Sequence, residues 1–181
     1  MIDQTTIQTI GVLMAASSVL LYTINLFISG QREERNKKIQ MSNTLLQTLM
    51  TKERARDSAE LLNYEWTDIT DFQAKYDSSV NPESFSQRMA MFNIFETIGY
   101  LLKQGVVDKE LIYVVGGSTA IFLWAKFRPM MVGYRKLAYG SDMFSNFEFL
   151  AREMWGMKRA RDPSFVRDQT IGLDFVKIFS N

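Results

Sequence analysis

Residues 4–31 read QTTIQTIGVLMAASSVLLYTINLFISGQ, a run with no charged side chain, mostly apolar from Ile7 to Ile28 and followed closely by Arg32, Arg35, Lys37 and Lys38. At about 1.5 Å per residue, roughly 22 helical residues span about 33 Å, enough for a hydrocarbon core near ~30 Å. The stretch therefore reads as an N-terminal transmembrane anchor. Two other readings compete with it. A cleaved secretory signal wants a positive leading region, a shorter apolar core and small residues at the end of that core. Here only Asp3 is charged before the span, and Ala15, Ala16, Ser17 and Ser18 lie in its middle. A buried core helix is the other alternative. Lysine and arginine flanking a span are held on the cytoplasmic side. The expected placement is thus single-pass in the cell membrane, N-terminus outside, with everything from Arg32 onward in the cytoplasm.

Behind the span, roughly 150 residues remain, enough for one domain with a real core. Lys and Arg number 21 against 20 Asp and Glu, a net charge of +1, which gives no electrostatic footprint for nucleic acid. There is no cysteine, so disulfides, thiolate metal sites and cysteine nucleophiles are excluded. There is no histidine either, which removes Ser-His-Asp chemistry, imidazole metal ligands and a simple switch near neutral pH. No catalytic, cofactor-binding or metal-binding residues can be assigned.

The chain has neither glycine nor proline between Gly30 and Pro82, so the anchor is expected to continue as a helical stalk. Ile39, Ser42, Leu46 and Leu49 keep one helical stripe, and Leu62, Trp66, Ile69 and Tyr76 keep another. The thirteen residues from Leu49 to Leu62 put the stripes roughly 140° out of phase, so the helix breaks near Lys52 to Ser58 or changes partner there. Asn81-Pro82-Glu83 is a helix start, with a capping side chain, a proline needing no donor and an acid at the positive end. The helix it opens runs to Gln104 with a broad apolar side that includes Phe85, Met89, Phe92, Phe95 and Leu102, and Gly105 suits a left-handed stop. Asp108 can cap a further helix through Phe127, which Pro129 should kink or restart.

Residues 111–125 are uncharged, but at about 15 residues they fall short of the ~20 a span needs, so core is preferred to a re-entrant or interfacial segment. Gly116-Gly117 inside them points to close backbone packing or a local break, and no Walker or dinucleotide pattern accompanies the pair. Ser141 or Asp142 can cap a last strong helix to about Ala160, before Pro163. The fold class is all-α: a single N-terminal transmembrane helix continuing into a stalk, then a cytoplasmic bundle of about four helices. The expected division is an anchor over 1–31, a helical stalk over 32–60 and a helical domain over 61–181.

Three constellations stand out. Gly11, Ala15, Ser18, Tyr22 and Asn25 share one helical face. Small residues let helices approach in a membrane, and Ser or Asn can hydrogen-bond between them. They form a candidate packing seam for a second copy or for other membrane subunits, unless they simply face lipid. Second, Phe-x-x-Phe-Glu occurs twice, at Phe92, Phe95, Glu96 and at Phe144, Phe147, Glu148. Each glutamate lies beside an apolar stripe and needs a partner, with Arg88, Arg128, Arg135, Arg152 and Tyr100 as candidates. A pair fixing helix register is the leading reading, and an all-carboxylate metal site or acid/base pair the sharper alternative. Third, Trp155, Met157, Lys158, Arg159, Arg161 and Arg167 mix aromatic, sulfur and basic side chains. They suit anionic lipid headgroups or, more plainly, a solvated basic helix end.

The block Phe92-Asn93-Ile94-Phe95-Glu96 with Gly99 and Gly105, the Asp108 to Leu111 helix start, Trp124, Arg135, and the block Asn146-Phe147-Glu148-Phe149-Leu150 carry a resemblance. Over residues 66–155 the chain resembles an uncharacterised prokaryotic family, a domain of unknown function with one N-terminal anchor and a helical cytoplasmic body. The resemblance implies that fold, and neither cofactor nor catalytic residues. Two functions follow as expectations. One is a membrane-anchored, non-enzymatic interaction protein, an accessory or scaffold subunit of a membrane complex. The other is a carboxylate-based enzyme or metal protein centred on Glu96 and Glu148.

Overall fold

Local signals set most of the helix boundaries. In the computed structural model α1 is Gln4–Leu49, α2 Lys52–Leu62, α3 Ile69–Tyr76, α4 Pro82–Lys103 and α5 Lys109–Ile112. A π-helical turn, Tyr113–Gly117, joins α5 to α6 (Ser118–Leu137), and α7 (Ser145–Arg161) and α8 (Phe175–Phe179) complete an all-helical fold. The only strands among the described residues are the antiparallel pair Arg167–Asp168 and Leu173–Asp174. The structure describes residues 4–137, 140–168 and 172–180, and their side chains except at 4–21, 46, 137, 167 and 168.

The first break falls where the two stripes lose phase. Helix α1 ends at Leu49, and Thr51 is extended with its hydroxyl accepting from the Arg54 amide at 3.2 Å, which starts α2. The second stripe is not one helix. The chain leaves α2 at Leu62 and re-enters α3 only after Asp68, whose carboxylate accepts from the Thr70 and Asp71 amides at 2.8 and 2.9 Å. Trp66 lies in the intervening loop and packs its ring on Phe72 and Phe127. Asn81 caps α4 as its sequence suggests, accepting from Ser84 at 3.1 Å, and Gly105 ends it at φ 65°.

Two positions are decided by packing beyond the local sequence. Pro129 sits inside α6 and the helix continues through it. Proline deprives a preceding carbonyl of its donor, and burial of Trp124, Phe127, Met130 and Met131 on both sides holds the helix together. Neither Ser141 nor Asp142 caps α7, which begins at Ser145 after Phe144 turns left-handed at φ 53° without a capping side chain. Gly116 and Gly117 do form the expected irregularity. They lie in the π-helical turn, where a Cβ on Gly116 would meet Leu49 Cδ1 at 3.1 Å and one on Gly117 would meet Tyr113 Cδ2 at 3.1 Å.

The chain divides into two units, Met1–Gln40 and Met41–Asn181. In the first, Tyr22, Ile24, Leu26, Phe27 and Ile28 are exposed, as are Arg32, Arg35, Lys37 and Lys38, and Lys37 pairs with Glu33 at 2.7 Å. The second starts within the stretch that reads as stalk. Ser42 is fully buried and its hydroxyl accepts from the Asp108 amide at 3.1 Å, while Leu61 is buried at the end of α2. Among the described residues one helical stretch, Lys109–Lys136, is long and apolar enough to cross a membrane, and half of its most apolar window is buried inside the protein. Ile112, Ile121, Leu123, Trp124 and Phe127 supply that burial, with α6 packed on α2, α3 and α7.

Helix α4 packs most extensively on α7. The two helices come close together at Gly99, where a Cβ would overlap the Asn146 carbonyl. Aromatic rings fill the space around this crossing. Phe95 and Phe147 stack at 5.1 Å, Phe92 meets Phe127, Phe144 and Phe147 within 5.7 Å, and Trp124 meets Phe147 edge-on at 5.4 Å.

Candidate functional site

The two Phe-x-x-Phe-Glu copies meet at the start of α7 and do different work there. Glu96 Oε1 accepts from the Asn146 amide at 3.3 Å and from Asn146 Nδ2 at 2.7 Å, and Oε2 accepts from the Phe147 amide at 2.7 Å. A side chain from α4 thereby caps a helix whose own N-cap position is a phenylalanine, and its charge lies at the positive helix end. Arg88, Arg128, Arg135 and Arg152 are not its partners, and Tyr100 is exposed.

Glu148 is the glutamate that pairs with cations. Its Oε2 accepts from Arg135 Nη1 at 2.7 Å and its Oε1 from Arg152 at 3.1 and 3.3 Å. Burial alone would raise its pKa, but the hydrogen bonds and charges of the two arginines together outweigh that and hold it below the ordinary value. The same arginines reach onward. Arg135 Nε donates to the Met143 carbonyl at 2.8 Å, and Arg152 Nη1 to the Phe179 carbonyl at 3.0 Å. The cluster ties α6, the turn before α7 and the end of α8 to one carboxylate.

These two clamps flank a cavity of about 130 Å³. Helix α4 contributes Phe85, Arg88, Met89 and Phe92, one face at i, i+3, i+4 and i+7 spacing. Met130 and Tyr134 come from α6, Met143 and Phe144 from the turn, and Asp77 from the end of α3. Glu96 fixes the chain just after Phe144, and Arg135 holds the carbonyl of Met143. The glutamate clamps therefore set the wall of the cavity.

Arg88 dominates its chemistry. The residue is 2% exposed, its Nη1 donates to the Tyr76 carbonyl at 3.2 Å, and its guanidinium lies 4.7 Å from the Phe72 ring centre and 5.3 Å from that of Phe85. None of the ion pairs among the described residues includes it. Burial pulls its pKa below the ordinary value, against the favourable fields of Tyr134, Tyr64 and Asp77. A guanidinium remains cationic in a protein all the same. The cavity is thus apolar on most sides, with Arg88 the one cationic and Asp77 the one acidic residue in its lining.

The remaining candidate residues are dispersed. Arg128 Nε is buried without a hydrogen-bond partner among the described residues. Trp155, read as exposed at a lipid surface or on a solvated helix end, is 9% exposed and packs on Phe165, Phe175 and Phe179, residues that follow α7 in the chain. Lys158 lies over Phe165, Arg159 over Trp155, and Arg161 over Tyr113 while pairing with Glu110. Met157 packs partly buried against the core, and the Arg167 side chain lies outside the described residues. Of the residues expected to form an intramembrane seam, Tyr22 and Asn25 are exposed. The side chains of Gly11, Ala15 and Ser18 lie outside the described residues.

The sequence flagged Arg88 only as a partner for glutamates. Its signal was its place among Phe85, Met89 and Phe92, where a cation sits on an apolar face. Asn146, Met143 and Tyr134 carried no comparable signal. No curated protein and no solved structure matches the chain. The model of a domain of unknown function, DUF4760, matches residues 5–155, and the chain belongs to that family.

Proposed function

We propose that this is a membrane-anchored, non-enzymatic interaction protein, an accessory or scaffold subunit held by its N-terminal helix with its helical body in the cytoplasm. The observation that carries the reading is the exposed apolar run Tyr22, Ile24, Leu26, Phe27 and Ile28. At 100° per residue these side chains point all round the helix, which suits lipid or a membrane partner and not one buried face. Exposed Arg32, Arg35, Lys37 and Lys38 follow at once, where a cytoplasmic boundary would put them. The family match begins at residue 5, so this helix is part of what the family shares. Partners would be other membrane subunits or a second copy, met along Gly11, Ala15, Ser18, Tyr22 and Asn25. Anionic headgroups beside the basic flank would add about 1 kcal/mol per cation.

The carboxylate-enzyme alternative loses support from the geometry, since both oxygens of Glu96 and both of Glu148 are already engaged by protein donors. Because the chain has no cysteine, topology can be read directly by single-cysteine labelling. An Asp3→Cys variant should react with a membrane-impermeant maleimide in intact cells, and a Lys37→Cys variant only after permeabilisation. Extraction of the protein by alkaline carbonate, or equal labelling of the two positions in intact cells, would refute the anchoring. Loss of co-purifying partners in Gly11→Leu or Asn25→Leu, with membrane insertion retained, would locate the contact face.

A further inference from the structure

We propose that the Arg88 cavity binds a small monocarboxylate whose apolar body is about the size of one aromatic ring. Its volume of about 130 Å³ is close to the ~150 Å³ of an apolar cavity that admits benzene. Phe92, Met130 and Phe144 furnish the apolar wall for such a body, and Arg88 furnishes the charge. An isolated buried charge is expensive unless it is paired and hydrogen-bonded. Here the guanidinium has one carbonyl and two aromatic faces but makes no ion pair among the described residues, Asp77 of the cavity lining acting on it only through its field. Its planar fork of donors is matched to a carboxylate, which can take two parallel hydrogen bonds.

Asp77 decides the charge of the ligand. It is the one acidic residue in the cavity lining, and its carboxylate accepts from the Ser78 amide at 2.7 Å without forming an ion pair with Arg88. A second negative charge on the ligand would meet this carboxylate, so a monoanion is favoured over a dianion. The turn at Met143 and Phe144 is secured by Arg135, which donates to the Met143 carbonyl. The cavity is therefore largely preformed, as ligand sites usually are. Its occupation is independent of where α1 resides.

The test uses the full chain in a nonionic detergent, titrated by calorimetry with benzoate, with benzyl alcohol as an uncharged match in size and with phthalate as a dianion. Benzoate should bind about tenfold or more tightly than benzyl alcohol, because it alone makes charge-assisted hydrogen bonds. Phthalate should bind more weakly than benzoate. Arg88→Met should lose the benzoate preference and keep the benzyl alcohol affinity. Met143→Trp, which fills the cavity and leaves Arg88 in place, should weaken both ligands. The proposal is overturned if the wild-type protein does not bind benzoate, if benzoate and benzyl alcohol bind alike, or if Met143→Trp binds benzoate like the wild type. The last two measurements stand even if Arg88→Met does not fold.

Discussion

Replacing Glu96 by alanine should destabilise the helical unit far more than a half-exposed carboxylate on a helix ordinarily would. Glu96 accepts two backbone amides and one side-chain amide at the start of α7. Loss of a helix cap costs about 1 kcal/mol, within a range of ~0.5–2. Removing a negative charge from a helix N-terminus adds about 0.3–1 kcal/mol. The Phe147 amide, on a fully buried residue, is then left with a poor substitute partner, and an unsatisfied buried donor costs about 1–3 kcal/mol. These contributions overlap, since the amides are counted in both the first and the last. Together they predict a loss of about 2–3 kcal/mol. Equilibrium urea unfolding of the full chain in nonionic micelles, followed through the tryptophans, is a direct assay. With a slope of ~1–3 kcal/mol/M, the midpoint should fall by about 1 M. Glu96→Gln keeps one acceptor oxygen but turns a donor toward the helix start, so it should fall between alanine and wild type. The control is Glu153→Ala, which breaks an exposed pair with Lys109 and should cost under ~1 kcal/mol. If Glu96→Ala shifts the midpoint no further than Glu153→Ala, the capping role is wrong.

Gly99→Ala should destabilise the same unit by about 1–3 kcal/mol, because its Cβ overlaps the Asn146 backbone and α4 must move away from α7. Gly156, with open space around its would-be Cβ, should instead gain about 0.5–1 kcal/mol on conversion to alanine, as read by the same unfolding curves. Because Gly99 and Glu96 both act on Asn146, their alanine variants should combine non-additively in a double-mutant cycle. Glu148→Gln should cost about 1–2 kcal/mol at neutral pH, a value discounted for partial solvent screening. The folded-state pKa of Glu148 is depressed below its ordinary 4.5, so its contribution is complete above that value and lost as pH falls through the lower folded value. The stability gap between wild type and Glu148→Gln should therefore be flat from neutrality to about pH 5 and close on further acidification. A gap that widens toward acid pH would contradict the Arg135 and Arg152 pairing.

Much of the helical layout was legible because its signals are local. Asn81-Pro82, Gly105 and Asp108 mark helix ends by the conformations and side-chain acceptors their residue types allow, and each stands at such an end. The out-of-phase stripes around Leu49 and Leu62 foretold a break, since one helix cannot keep both stripes on one partner. Trp66 was misplaced for the opposite reason. The Trp66 loop contains no glycine or proline to announce it, and Pro129 is carried through α6 by packing that no local rule describes. Trp155 looked like a surface residue because the rings that cover it, Phe165, Phe175 and Phe179, have no periodicity pointing back to α7.

The repeated Phe-x-x-Phe-Glu motif separates the two levels most clearly. Its residue types dictated that two glutamates would lie beside apolar stripes and require partners, because a charge placed there cannot remain unsolvated. Which partners they took depended on where α7 begins. The left-handed turn at Phe144 leaves its first amides open toward α4, so Glu96 meets a helix end while Glu148, one turn further on, meets Arg135 and Arg152. Arg88 was then left facing a cavity without either glutamate as a partner. The sequence by itself determined an all-helical chain, its family, and a long uncharged apolar run at its start. Only the tertiary structure decided which charges neutralise one another, because pairing depends on the crossing of α4 and α7 at Gly99, a distance no linear pattern encodes.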